Sequence, residues 1–268
     1  MISPLRRPRF QITPIVETLE GRVVLSHMPA IRATVVARAI NPSDGSGAGA
    51  ILGALNGGVG NEFVTLIKKQ VRNVNSVVLQ FATGQRSTLT VKGFSIKSPH
   101  FATAYAGPHL DQFNPAAAGA VFLKDGRLEL AAILRGPIDR PEPTTYVWGL
   151  DRGGAAVGPD GFGPAGVRYD AYVSVTRSGS DLSVSFTDLK TGKSTAIDAS
   201  SVRIAGPTIR VFLSNPEALL SANGKTLSKA RFAFWTRSGP AGLGNLGGSV
   251  PDSGTIPIGV LDPRLTRR

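Results

Sequence analysis

The clearest periodicity in the chain lies at 167–176, where Val167, Tyr169, Ala171, Val173 and Val175 alternate with Arg168, Asp170, Tyr172, Ser174 and Thr176. A period of two puts one set on each side of a pleated strand, so one face is expected to be buried and the other wet. Arg177-Ser178-Gly179-Ser180 turns the chain, Leu182, Val184 and Phe186 resume the alternation, and Lys190-Thr191-Gly192-Lys193 turns it again into Ser194–Ile197. These runs predict an antiparallel meander. The same reading predicts strands at 63–72, 75–81, 88–97, 120–123, 127–134, 144–150, 209–213 and 230–235. Gly93 breaks the alternation within 88–97 and predicts a bulge there. Lys124-Asp125-Gly126 is a hairpin signal between two of the runs. One short helix is expected, capped by Asn215, with Pro216 in its first position and Glu217 near its positive end, and stopped at Asn223-Gly224.

The 32 Gly and 19 Pro divide the apolar stretches finely, which is the punctuation of an all-β domain. About ten to twelve strands and one short helix predict a two-sheet antiparallel β-sandwich, jelly-roll-like, with a partly open β-barrel as the alternative. No fixed-period repeat argues for a propeller or solenoid. The divisions expected are a basic N-terminal segment at 1–28, a Gly/Ala-rich linker or loose strand at 29–61, the sandwich at 62–262 and a basic tail at 263–268.

The first residues carry Arg6, Arg7 and Arg9 and no acid. An ordinary secretory signal needs an apolar run of roughly 7–15 residues after such a start. Val23, Val24 and Leu25 are too few, being flanked by Arg22 and Ser26. Ile51–Leu55 falls short of the about 20 apolar residues of a membrane span, so no transmembrane segment is expected. Leu19-Glu20-Gly21-Arg22-Val23-Val24-Leu25-Ser26, after the basic arm and Val16-Glu17, resembles the planctomycetal LEPR-xLL type of N-terminal segment, with Gly21 where that pattern has Pro and Val24 where it has Leu. The resemblance covers residues 16–26. It implies export or surface sorting, hence an extracellular or cell-envelope location, and implies nothing about the rest of the chain.

Charge and cysteine usage narrow the chemistry. Lys and Arg number 30 against 18 Asp and Glu, a net charge of +12. That excess suits an anionic partner such as an acidic polysaccharide or another envelope component. It is spread along the chain rather than gathered on one helix, so no specific nucleic-acid site is expected. With Cys absent there are no disulfides and no thiolate chemistry.

Catalytic signatures are sparse. Gly192-Lys193-Ser194-Thr195 imitates the end of a phosphate loop, but Thr187 stands where the first glycine belongs and a strand follows instead of a helix. Gly45 to Ala50 imitates a dinucleotide fingerprint without the preceding strand. No Gly-x-Ser-x-Gly elbow occurs, and nothing in the spacing of Glu129, Asp151, Asp160, Asp170 and Asp188 selects a catalytic pair. His100 and His109, with Asp111, form a weak ligand set. Asp151, Asp160 and Asp170 border a long Gly-rich loop and are the candidate ligands of a structural calcium; a turn held by its own Asp side chains is the plainer reading.

The candidate ligand surface lies on the 229–237 strand. Ala230, Phe232 and Phe234 fall on one face, and Lys229, Arg231, Trp235 and Arg237 on the other. Trp235 flanked by Arg231 and Arg237, with Tyr146 and Trp148 on a second strand, could stack on a sugar ring and pair with its acidic groups. The expected function is therefore a non-catalytic, exported or cell-envelope β-sandwich with a structural or adhesive role. A binding module for acidic polysaccharide and a carbohydrate-active enzyme are the alternatives.

Overall fold

The computed structural model describes residues 88–97, 101–139, 141–154, 162–216, 229–239 and 244–261. The N-terminal segment, the linker, the strands expected at 63–72 and 75–81, and the basic tail lie outside these residues. So does most of the short helix expected after Asn215, of which Pro216 alone is described and is helical.

Fourteen strands are described: β1 (Thr88–Val91), β2 (Phe94–Lys97), β3 (Pro115–Phe122), β4 (Leu128–Leu134), β5 (Thr144–Asp151), β6 (Ala171–Ser178), β7 (Asp181–Asp188), β8 (Lys193–Ile197), β9 (Val202–Ala205), β10 (Thr208–Leu213), β11 (Arg231–Ser238), β12 (Leu246–Val250), β13 (Ile256–Pro257) and β14 (Gly259–Val260). They form two sheets, a two-sheet β-sandwich and not a closed barrel. The first runs β1-β2-β3-β4-β10-β9 with β14 beside β3; the second runs β12-β11-β5-β6-β7-β8 with β13 beside β11. Each sheet begins as a meander of consecutive strands, because short turns favour antiparallel neighbours. The chain then returns, adding the β9–β10 hairpin beside β4 and β11 beside β5. Pairing is antiparallel except for β14 on β3.

The alternation read from the sequence decides which side chains enter the space between the sheets. Phe234, Trp148, Val173 and Phe186 are cross-strand partners along one rung of the second sheet. Ala118, Ala132 and Ile209 form a rung of the first. All of them share one buried cluster. The alanines leave room for the aromatics, and each fully buried aromatic contributes roughly 1.5–3 kcal/mol by leaving water. Trp148 and Phe234 pack with ring centroids 4.8 Å apart, and Trp148 Nε1 donates to the Ala131 carbonyl at 3.3 Å, tying one sheet to the other.

Three expectations are corrected. Residues 88–97 are not one bulged strand: Lys92-Gly93 is a two-residue turn that pairs Val91 with Phe94. Gly93 has φ 90°, which a tight hairpin turn requires and which costs glycine nothing. The strand expected from 167 begins at Ala171. Val167 and Tyr169 belong instead to a second buried cluster, with Val147, Ala233 and Trp235. The Asp170 N–H donates to the Leu150 carbonyl at the start of β6, and before it Phe162, Val167 and Tyr169 pack on the outer face of the second sheet against Val147 and Trp235. The strand expected at 120–123 starts at Pro115, where a run of alanines gives no alternation to read. Strands β9, β12, β13 and β14 were not predicted.

Candidate functional site

The aromatic and cationic residues expected to receive a ligand are placed in packing roles. Tyr146 and Trp148 point between the sheets, and Trp235 lies on the opposite side of the second sheet; all three have 0% exposure. Trp235 is covered by Tyr169, with ring centroids 5.1 Å apart, and meets Phe162 edge-on at 6.0 Å. With no face open it cannot serve as a stacking platform for a sugar, and Trp148 and Trp235 do not line a common groove. Burial also pushes the Tyr169 hydroxyl up to about 12. Arg237 donates from Nη1 to the Phe162 carbonyl at 2.7 Å and from Nη2 to the Gly244 carbonyl, with its guanidinium over the Phe162 ring. Arg231 donates to the Thr255 hydroxyl at 2.8 Å and to the Thr255 carbonyl. Both arginines fasten loops to β11.

The acids expected to bind calcium are placed differently as well. Asp170 is buried, and its Oδ1 accepts from the Arg152 N–H at 3.0 Å and Nε at 2.9 Å while Oδ2 accepts from the Gly154 N–H at 2.9 Å. A second carboxylate, Asp188, lies 2.9 Å from Arg152 Nη2. The lone pairs expected to hold a cation are thus occupied by an arginine and backbone amides. Asp151 accepts from the Gly153 N–H at 2.8 Å, the self-bonded turn that the sequence suggested. Asp160 lies outside the described residues. No group of three or more His, Asp or Glu able to hold a metal occurs among the described residues. Of the histidines, His109 is described; it stands edge-on to Phe101 at 4.7 Å and Tyr105 at 5.5 Å. Its neighbour Asp111 pairs with Arg135 at 3.5 Å.

Among the described residues a groove of ligand size lies elsewhere, where the two sheets end at β8 and β9. Alternation on β10 sends Ile209, Val211 and Leu213 into the core, so Arg210 and Phe212 face outward. Antiparallel register places Arg203 of β9 directly beside Arg210. The β8–β9 connection is a helical turn, Ala199–Ser201. It is capped by Asp198, which accepts from the Ser200 N–H at 2.8 Å. That bond, with a contribution from the Ser200 side chain, holds the Asp198 carboxyl below the ordinary carboxylate range. Together with Arg127 beside the β3–β4 turn, these residues border a groove of about 1160 Å³, with hydroxyls from Thr195, Ser200 and Ser214 along it.

The cations in this groove are held in position. Arg127 bonds Asp125 through Nε at 2.8 Å and lies with its guanidinium 5.2 Å from the centroid of Phe212. The charged bond to Arg127 lowers the Asp125 carboxyl, and the Arg127 N–H lowers it further. Arg210 donates from Nε to Glu129 at 2.5 Å, and its guanidinium lies 5.0 Å from the same Phe212 ring. Glu129 has 0% side-chain exposure while Arg210 keeps 23%, so the acid is withdrawn beneath the cation that it steadies. Arg203 is exposed and donates from Nη1 to the carbonyls of Ser200 and Val202 at 3.2 and 3.4 Å. A half-buried aromatic ring carrying two guanidiniums, with a third cation across the strand pair, presents ordered donors to solvent. The outward alternation on β10 was legible in the sequence; the register that brings Arg203 and Arg127 to it was not, since β9 gave no strand signal.

Comparison with protein-family models, curated proteins and solved structures yields no match. Among the described residues no helix is long and apolar enough to cross a membrane.

Proposed function

We propose that this chain is a non-catalytic, exported or cell-envelope β-sandwich with a structural or adhesive role, and that it holds an extended partner along the groove across β8, β9 and β10. The observation that carries this reading is the groove itself, about 1160 Å³ and bordered by side chains already fixed by their own bonds. A preformed surface spends little entropy on ordering when a partner arrives. The groove's position across neighbouring strands suits an elongated chain better than a compact small molecule.

The enzymatic alternative draws less support. Each described acid considered for acid–base chemistry accepts from protein donors: Asp170 and Asp188 from Arg152, Glu129 from Arg210, and Asp151 from Gly153. A glycosidase pair would instead leave two carboxyls facing each other across a cleft.

Two measurements test the reading. Fractionation of the source cells is expected to place the protein in the envelope or the medium; a purely cytosolic pool would contradict it. The full chain is also expected to co-sediment with insoluble envelope material. Ala205→Trp, a bulky ring at an exposed rim position, should abolish that co-sedimentation without changing the melting temperature. Retention unaffected by Ala205→Trp would show that the groove is not the contact.

A further inference from the structure

We infer that the groove's partner is an acidic polysaccharide, bound through carboxylate or sulfate groups spaced along its chain; the inference rests on the adhesive reading above and names the ligand of that same groove. The argument begins with charge. Among the described residues, the groove lining holds Arg127, Arg203 and Arg210 against one acid, Asp198. The acids that steady Arg127 and Arg210 stand outside the lining, and the buried one, Glu129, is withdrawn from solvent. A ligand sliding along the groove therefore meets guanidiniums first.

The second argument is geometric. Guanidiniums present planar, paired donors that match the two oxygens of a carboxylate or the face of a sulfate. Arg127 and Arg210 are oriented by both their acids and the Phe212 ring, so the two guanidiniums are held rather than swinging. Phe212 lies beside both as a half-buried ring that holds the two guanidiniums in place at the groove wall. The exposed hydroxyls of Thr195, Ser200 and Ser214 supply short polar contacts of the kind a polyhydroxylated ligand exchanges for water. A nucleic acid shares the negative charge but gains most from successive aromatic platforms for its bases, and Phe212 is the one aromatic among the described residues of the groove lining.

The experiment uses the full chain and four probes: polygalacturonate, dextran sulfate, uncharged dextran and a single-stranded oligonucleotide. Binding is expected to polygalacturonate or dextran sulfate, not to dextran, and to weaken as salt screens the exposed charges. Arg127→Ala/Arg203→Ala, both exposed positions, should weaken it about tenfold or more while leaving the melting temperature near that of the parent, since each arginine contributes a charge-assisted bond. Arg168→Ala/Lys92→Ala, which removes the same charge away from the groove, should leave it unchanged. The inference is overturned if dextran binds as tightly, if the oligonucleotide outranks both acidic glycans, or if the control variant weakens binding as much as the groove variant. It also falls, while the adhesive reading stands, if Ala205→Trp abolishes envelope co-sedimentation yet neither acidic glycan binds the parent protein.

Discussion

Arg152 carries one positive charge between two negative ones in a place almost free of water. Its side chain is 1% exposed, bonded to Asp170 and to Asp188 at 2.9 Å each. Removing one member of such a buried set leaves the others uncompensated, so Arg152→Ala is expected to cost about 3–5 kcal/mol in denaturant unfolding. The Asp188 carboxyl sits below the usual carboxylate range. Partial burial acts to raise it and is the largest single effect, but the amides of Thr191 and Lys190 together with Arg152 outweigh it. A carboxyl depressed on folding contributes stability that is present above the ordinary aspartate range and is lost as pH falls through the depressed folded value. Stability is therefore expected to decline on acidification below that ordinary range, and Asp188→Asn should flatten the decline; an unchanged acid slope in that variant would place its origin elsewhere. From the sequence, Asp151 could be read as a residue bonding its own turn. Asp170 could not be read as a counter-ion, because its partner Arg152 lies 18 residues away and only the β5–β6 pairing brings them together.

At the scale of elements, β11 was legible in both its faces. Phe232 and Phe234 point inward and Ala233 and Trp235 outward, as alternation requires. What covers the outward face was not legible, since a period of two assigns a side and not a neighbour. The neighbour is the 162–170 segment, of which 167–170 had been assigned to a strand by the same periodicity. Its docking depends on Gly149 of β5. A Cβ there would stand 2.6 Å from Cη2 and Cζ3 of Trp235, in a ring already backed by Tyr169. Gly149→Ala is expected to destabilise the protein by about 1–3 kcal/mol through overpacking and to alter the near-ultraviolet dichroism of the indole. A variant with parental stability and spectrum would show that the ring is free to move. The groove follows the same division: β10 announces Arg210 and Phe212 by alternation, whereas β9 is four residues long and carries no alternation strong enough to declare itself.

For the whole molecule, the two sheets are held by one interior and the second sheet by an additional outer cluster. The chain's 2 tryptophans report on these separately, Trp148 from the interior and Trp235 from the outer cluster, both at 0% exposure. Native emission is expected to be blue-shifted and poorly quenched by iodide, to stay unchanged on adding polygalacturonate, and to shift red on unfolding. Strong quenching of the native protein would place an indole at the surface and restore it as a ligand contact. The sequence by itself determined the all-β class, the turns and the inward or outward side of most strands, because these follow from steric and solvent preferences acting over a few residues. Tertiary structure alone decided which strands distant in the chain pair, which loop seals Trp235, which arginine answers Asp170, and that Arg127, Arg203 and Arg210 border one groove. Those outcomes depend on contacts between segments far apart in the chain, which no local pattern encodes.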